Sequence, residues 1–96
     1  MSSIERIRIS LMPVFKEHNV RKAILFGSYA KGTERANSDI DIFVDSGLKG
    51  LKFFGLLEDV ATSLEKPVDL IDSSQVKQDS RVLQEIKDTG IVIYER

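Results

Sequence analysis

Three aspartates and a glycine–serine pair are the residues of this chain whose types and spacing could do chemistry. Asp39 and Asp41 stand two apart in Ser-Asp-Ile-Asp-Ile-Phe-Val-Asp, where polar and apolar residues alternate. On a strand, residues i and i+2 share a face with Cα atoms roughly 6.5–7 Å apart. Carboxylates that close repel, and unless something positive sits between them one tends to keep its proton. A divalent cation relieves the repulsion. Hard oxygen ligands with no His or Cys nearby favour magnesium, or manganese, over zinc. Two such ions about 3.5–4 Å apart, bridged by carboxylates, form a clamp for in-line attack at phosphorus. Asp69 is a candidate third carboxylate, because Val68 and Leu70 flank it and turn it away from their apolar face. Asp72 is the rival, but alternation puts it on the Val68 and Leu70 side.

Gly27 and Ser28 follow the apolar run Ala23-Ile24-Leu25-Phe26. A strand that ends on such a pair and opens a helical turn leaves backbone N–H groups without partners, a ready anion site. Gly27 lets a phosphate approach the backbone closely, and the Ser28 hydroxyl adds a donor. Lys31 and Arg35 are positioned to supply positive charge to a triphosphate. Each part alone has a plainer reading, since Gly-Ser is a common turn and Asp-x-Asp is often a solvated strand face. Their ordered combination is what points to phosphoryl chemistry.

These residues need a scaffold. Ile4, Ile7, Leu11, Val14 and Phe15 recur at helical spacing up to His18, with Pro13 either kinking that helix or sitting in the first turn of a fresh one capped by Ser10. Ala23–Phe26 reads as a buried strand, and Ser28 as the N-cap of a short turn over Tyr29–Lys31. Residues 32–37 are loop. Ser38–Asp45 is a strand with Asp39, Asp41, Phe43 and Asp45 on one face and Ile40, Ile42 and Val44 on the other. Phe53, Leu56, Leu57, Val60 and Leu64 mark an amphipathic helix over 51–65, stopped by Lys66-Pro67. Val68–Ile71 is a third strand, Val76–Thr89 a last helix closed by Gly90, and Ile91–Tyr94 a final strand. The order is α-β-(turn)-β-α-β-α-β. That predicts an α/β fold, a small sheet with helices packed on it, forming one domain over residues 1–96.

Composition narrows the classes. The 96 residues are 42% hydrophobic and 30% charged, an ordinary globular balance, and the net charge of -1 argues against a dedicated nucleic-acid binder. With no cysteine and one histidine there is no disulfide frame and no zinc site of His or Cys. No apolar run approaches membrane-spanning length, and the expected address is the cytoplasm. His18 suits the end of a helix as a structural or surface group. Phe53 and Phe54 cannot share one helical stripe, so Phe53 is expected in the core and Phe54 exposed, either as a single surface aromatic or as the mark of a partner surface. Tyr29 is expected to pack beneath its turn, Tyr94 to be half-buried in the sheet, and the Glu34-Arg35 pair to be solvated loop.

Gly27-Ser28, ten intervening residues and then Asp39-x-Asp41 resembles the signature of the polymerase β-like nucleotidyltransferase superfamily. The fuller string GSYAKG…SDIDIFV, with VDLID downstream, is similar to its minimal nucleotidyltransferase (MNT) branch. The resemblance implies a mixed sheet and metal-dependent transfer of a nucleoside monophosphate, AMP from ATP, with release of pyrophosphate. It implies Asp39, Asp41 and Asp69 as ligands of two Mg2+ ions, with Mn2+ as the alternative, and Asp69 as an aid in deprotonating the attacking hydroxyl. Gly27, Ser28 and Lys31 would hold the nucleotide's phosphates. Lys31 stands where many relatives carry Arg, which keeps the charge and loses the bidentate fork. Larger relatives add a helical domain that helps form the acceptor site. Here the acceptor is expected from another subunit, and the resemblance implies a HEPN-type toxin, modified on a tyrosine, with this chain as its antitoxin. The alternative is an antitoxin that neutralises its partner by covering it. A third reading is action on a small molecule or an RNA end.

Overall fold

A computed structural model describes residues 2–77 and 80–96. Helix α1 (Ser3–Glu17) starts at Ser2, whose side chain accepts the Glu5 N–H at 3.2 Å. The helix runs unbroken through Pro13, which decides between the two readings of that residue. Pro13 and Ile9, whose carbonyl loses its usual donor there, both lie on the exposed side, where that carbonyl is open to solvent. Ile7, Leu11, Val14 and Phe15 are buried as the spacing predicts. His18 is the C-cap residue, and its Nε2 lies 2.6 Å from Asp59 Oδ2, tying α1 to the next long helix.

Strand β1 (Lys22–Phe26) leads into α2 (Gly27–Lys31), and β2 (Ile40–Asp45) follows a polar connection. Helix α3 (Leu51–Leu64) ends where Glu65 takes a left-handed φ of 53°. Strand β3 (Val68–Asp72) is followed by a single turn of 3-10 helix at Ser73–Gln75, then α4 (Arg81–Thr89) and β4 (Ile91–Glu95). The last helix is shorter than its pattern predicts. Asp72 and Gln75 form a capping box that closes the 3-10 turn, Val76 is extended, and Ser80 caps α4 by accepting the Leu83 N–H. Residues 78 and 79, within the predicted helix, lie outside the described residues.

The strands line up as β3-β2-β1-β4. β1 is antiparallel to β2 and to β4, while β2 and β3 are parallel and joined by the α3 crossover. The fold is therefore a mixed α/β sheet with helices against it. Alternation sends Ala23 and Leu25 of β1, Ile40, Ile42 and Val44 of β2, and Leu70 of β3 into one core with Leu11, Phe15, Leu56 and Val60 of α1 and α3. Each large aliphatic or aromatic residue buried there contributes roughly 1.5–3 kcal/mol. Phe53, Leu57, Leu64 and Tyr94 pack at its margin, and Tyr94 meets the Phe15 ring with centroids 5.5 Å apart. The other sheet face belongs to α4, which packs on β1 and α2. The polar side of β2 faces this way.

Candidate active site

The site begins where β1 ends. Phe26 is still extended, and Gly27 turns the chain into α2 at φ 73°, a left-handed conformation that L side chains resist. Space makes a second demand. A Cβ on Gly27 would overlap the Asp41 carboxylate and stand 3.2 Å from its Cγ. Gly27 and Asp41 are thus in direct apposition across the β1–β2 pair, where Phe26 and Asp41 are register partners. The position expected of Ser28 shifts slightly. α2 starts one residue earlier, Phe26 takes the N-cap position without a side-chain cap, and Ser28 lies inside the first turn. Its carbonyl accepts the N–H of Gly32 and of Thr33. Lys31 ends α2 on an exposed turn, the helix end that suits a cation.

The carboxylates come from two strands. Arg35 and Ser38 close the connection on themselves, the Arg35 N–H donating to Ser38 Oγ at 2.8 Å and the Ser38 N–H to the Arg35 carbonyl at 3.0 Å. That turn delivers Asp39, exposed and one residue ahead of β2. The Ile40 N–H then donates to the Pro67 carbonyl at 3.0 Å and locks β2 to β3. The parallel register that follows sets Asp41 opposite Asp69. Neighbouring strands run about 4.8 Å apart. Asp69, Asp41 and Phe26 therefore form one row across β3, β2 and β1, with Asp39 two residues before Asp41, just ahead of the strand.

Electrostatics reports the crowding. The Asp41 carboxyl is raised above the ordinary carboxylate range, first by burial, then by the charges of Asp69, Asp39 and Glu85. Glu85, on α4, is a member that sequence reasoning missed. It flanks the apolar stripe of Val82 and Ile86, but which strand end that stripe covers is a matter of topology. Arg35, a candidate phosphate contact, instead lines a pocket with Ile40, on the opposite face of β2. Tyr29 is buried beneath the turn, as expected.

Asp72 is excluded from the row. It is 2% exposed, and its Oδ1 accepts the Ser46 N–H at 3.1 Å and hydroxyl at 2.5 Å, while Oδ2 accepts the Ser74 N–H at 3.0 Å and hydroxyl at 2.6 Å. Burial alone would raise its pKa, but the hydrogen bonds from Ser46 and Ser74 outweigh it and hold the carboxyl below its ordinary value. Asp72 is a structural acceptor.

Among the described residues, no three His, Cys, Asp or Glu side chains converge closely enough to hold an ion as they stand. The donor set itself fits a hard divalent cation: oxygen ligands from adjoining positions, and at Asp41 a half-buried carboxyl raised by neighbouring negative charge.

A family model described as "Polymerase beta, Nucleotidyltransferase" matches residues 10–96. The chain belongs to this family. Over 91 residues it is 31% identical to the Methanocaldococcus jannaschii protein MJ0435, a named candidate protein adenylyltransferase, covering 90% of this chain and 97% of that one. The protein adenylyltransferase MntA of Shewanella oneidensis is 44% identical over 50 residues, 50% of this chain and 36% of MntA. Among solved structures, a chain of a toxin–antitoxin crystallised with AMP-PNP superposes with a TM-score of 0.74 at 29% identity, over 93% of this chain and 73% of that chain. The nucleotidyltransferase thus has the mixed sheet its sequence implies.

Proposed function

We propose that this nucleotidyltransferase is the antitoxin of a toxin–antitoxin pair and transfers AMP from ATP to a hydroxyl of its partner, a tyrosine of a HEPN-type toxin. The observation that carries the proposal is the register pairing of Asp41 with Asp69 beside Gly27. The paired carboxylates, Asp39 two residues ahead of Asp41 and a tight glycine turn then share one end of the sheet, an arrangement that suits metal-assisted transfer at a phosphorus atom. The similarity to named adenylyltransferases and to a toxin–antitoxin chain supports the choice of AMP and of a protein acceptor.

In this reading Asp39, Asp41 and Asp69 would hold Mg2+, or Mn2+ in its place, and the ion would supply charge neutralisation for the nucleotide's phosphates. Gly27 brings the backbone close to the phosphates, the Ser28 hydroxyl and α2 N–H groups donate to them, and Lys31 adds a cation. Asp69 accepts the proton of the attacking hydroxyl. The new oxygen–phosphorus bond forms at the α-phosphate as the bond to pyrophosphate breaks. Residues 1–96 serve as one minimal domain, and the acceptor pocket is completed by the partner. No described helix is long and apolar enough to cross a membrane. A cytoplasmic address, where ATP is available, goes with the reading.

Incubation with α-labelled ATP, Mg2+ and the co-encoded toxin tests it. The toxin becomes labelled, and Asp39→Asn or Asp41→Asn abolishes the label. Absence of label from every nucleotide tried, with variants indistinguishable from the parent, rejects transfer.

A second reading, neutralisation by cover alone, draws on Leu51 and Phe54 at the start of α3, which are 88% and 64% exposed. If Asp41→Asn suppresses toxicity in cells as well as the parent does, cover suffices. Lost suppression with the complex intact rejects it.

A further inference from the structure

A well-formed cavity of this fold lies away from the carboxylate row. It is a pocket of about 500 Å3 formed between α1, the end of α3 and the connection ahead of β2. Ile40 lies in its wall. Strand alternation turns Ile40 to the opposite face from Asp39 and Asp41, so the pocket stands behind the row, across the first residue of β2. None of Gly27, Ser28, Asp39, Asp41 or Asp69 lines it.

Its chemistry is distinct from that of the row. Arg6, Arg35 and Lys66 reach the pocket from three separate segments, against the one carboxylate of Glu34. Among the described residues none of the three cations forms an ion pair, whereas Arg8, Arg21 and Lys22 do. Three like charges around one space repel, and an anion between them removes that cost. Ser3, Ser10 and Ser63 add hydroxyl donors. Ser3 is also the first residue of α1, whose positive end therefore borders the same space. Beneath the polar rim, Ile7, Tyr29 and Ile40 make an apolar floor. A polar, cationic rim over an apolar floor, at a volume within the usual range of about 300–1,000 Å3 for small-molecule sites, suits a ring that carries a phosphate.

We infer that this pocket is a second ligand site, taking a small phosphate-bearing molecule of mononucleotide size without a metal ion. The guanidinium groups of Arg6 and Arg35 recognise the phosphate, with Lys66 as a further point charge. The inference holds whether or not the carboxylate row transfers nucleotides.

Titration calorimetry of the full chain in EDTA, with AMP, inorganic phosphate and adenosine as probes, tests it. Without metal, the carboxylate row repels phosphate, so heat reports the pocket. AMP binds, inorganic phosphate competes with it, and adenosine alone binds at least tenfold more weakly. Arg6→Gln with Lys66→Gln lowers AMP affinity about tenfold or more, as loss of charge-assisted hydrogen bonds requires. Ser28→Ala with Lys31→Gln changes it less than twofold. Arg6 and Lys66 are exposed, and Lys66→Glu alone, checked by circular dichroism, gives a second reading in case the double variant folds poorly. Absence of AMP binding at 10 mM, adenosine binding as tightly as AMP, or sensitivity to the Ser28 and Lys31 changes instead of Arg6 and Lys66 overturns the assignment.

Discussion

Asp41, half-buried, and Asp72, fully buried, lie on adjacent strands, yet their carboxyls are displaced in opposite directions. Asp41 lies among Asp69, Asp39 and Glu85 and is held above the ordinary range, burial contributing most. Asp72 is the more deeply buried, and it is held below that range because Ser46 and Ser74 each donate an N–H and a hydroxyl to it. Burial alone decides neither case. What differs is the company: donors at Asp72, other carboxylates at Asp41. One end of the β2–β3 pair stabilises a negative charge. The other end leaves negative charge unsatisfied, as a site awaiting a cation does.

The strongest way to break this contrast is Asp41→Asn. Transfer to the partner falls by at least about 10²–10³-fold, the scale on which removal of a single preorganised electrostatic group acts. Stability moves the other way, because the substitution removes a charge that burial and its neighbours disfavour. Activity assays and urea titration of one preparation check both. A variant that lost stability along with activity would show Asp41 to be structural. Asp72→Ala is the counterpart. It strands the buried N–H and hydroxyl of Ser46, each costing about 1–3 kcal/mol, while water takes over the donors of exposed Ser74, so a net loss of about 2–4 kcal/mol is expected. For a chain this small that lowers the melting temperature by roughly 10–20 °C. Transfer measured well below that melting point is largely retained.

Acid titration reads the same contrast more gently. The folded pKa of Asp72 is lowered, so its carboxylate contributes stability that is complete above the unfolded value near 3.9 and is lost as pH falls through the folded value. Urea unfolding of the parent should therefore weaken below about pH 4. In Asp72→Asn that share of the acid slope disappears. A slope unchanged by the substitution would mean that the donors do not favour the ionised form.

The sequence was informative wherever alternation or helical spacing was strong. The order of elements, the inward face of β2, the outward turn of Asp69 and the inward turn of Asp72 all follow from period-2 or period-3.6 patterns, while the pairing of Asp69 with Asp41 needed the parallel β2–β3 register. Legibility failed where a local side-chain bond competes with propensity. Val76 opens no helix because the Asp72–Gln75 box and the Ser80 cap divide that segment between them. Ser28 looks like a cap, yet a left-handed Gly27 begins the helix first. It failed also for contacts between distant segments. His18 was expected at a helix end, but its bond to Asp59, 41 residues away, has no local signature. Arg35, close in sequence to Asp39, lines the opposite side of β2, because the turn closed by Ser38 separates them.

Glu85 offers the finest test, since it is the last and smallest of the causes that raise Asp41. It comes from α4, whose packing on β1 and α2 is independent of the β2–β3 register. Glu85→Gln keeps the size and removes the charge, so α4 should dock unchanged. In the metal-free protein, carbon-13 resonances of the Asp carboxyls should show the Asp41 titration moving down, and by less than Asp69→Asn moves it. Burial, the largest cause, is unaltered by either change, so Asp41 should stay above the ordinary range in both variants. If Glu85→Gln moved it more than Asp69→Asn, α4 rather than the neighbouring strand would set the electrostatics of the row. Asp41 returning fully to the ordinary range in either variant would show that neighbouring charge, and not burial, dominates there. The contrast with Asp72 would then rest on company alone.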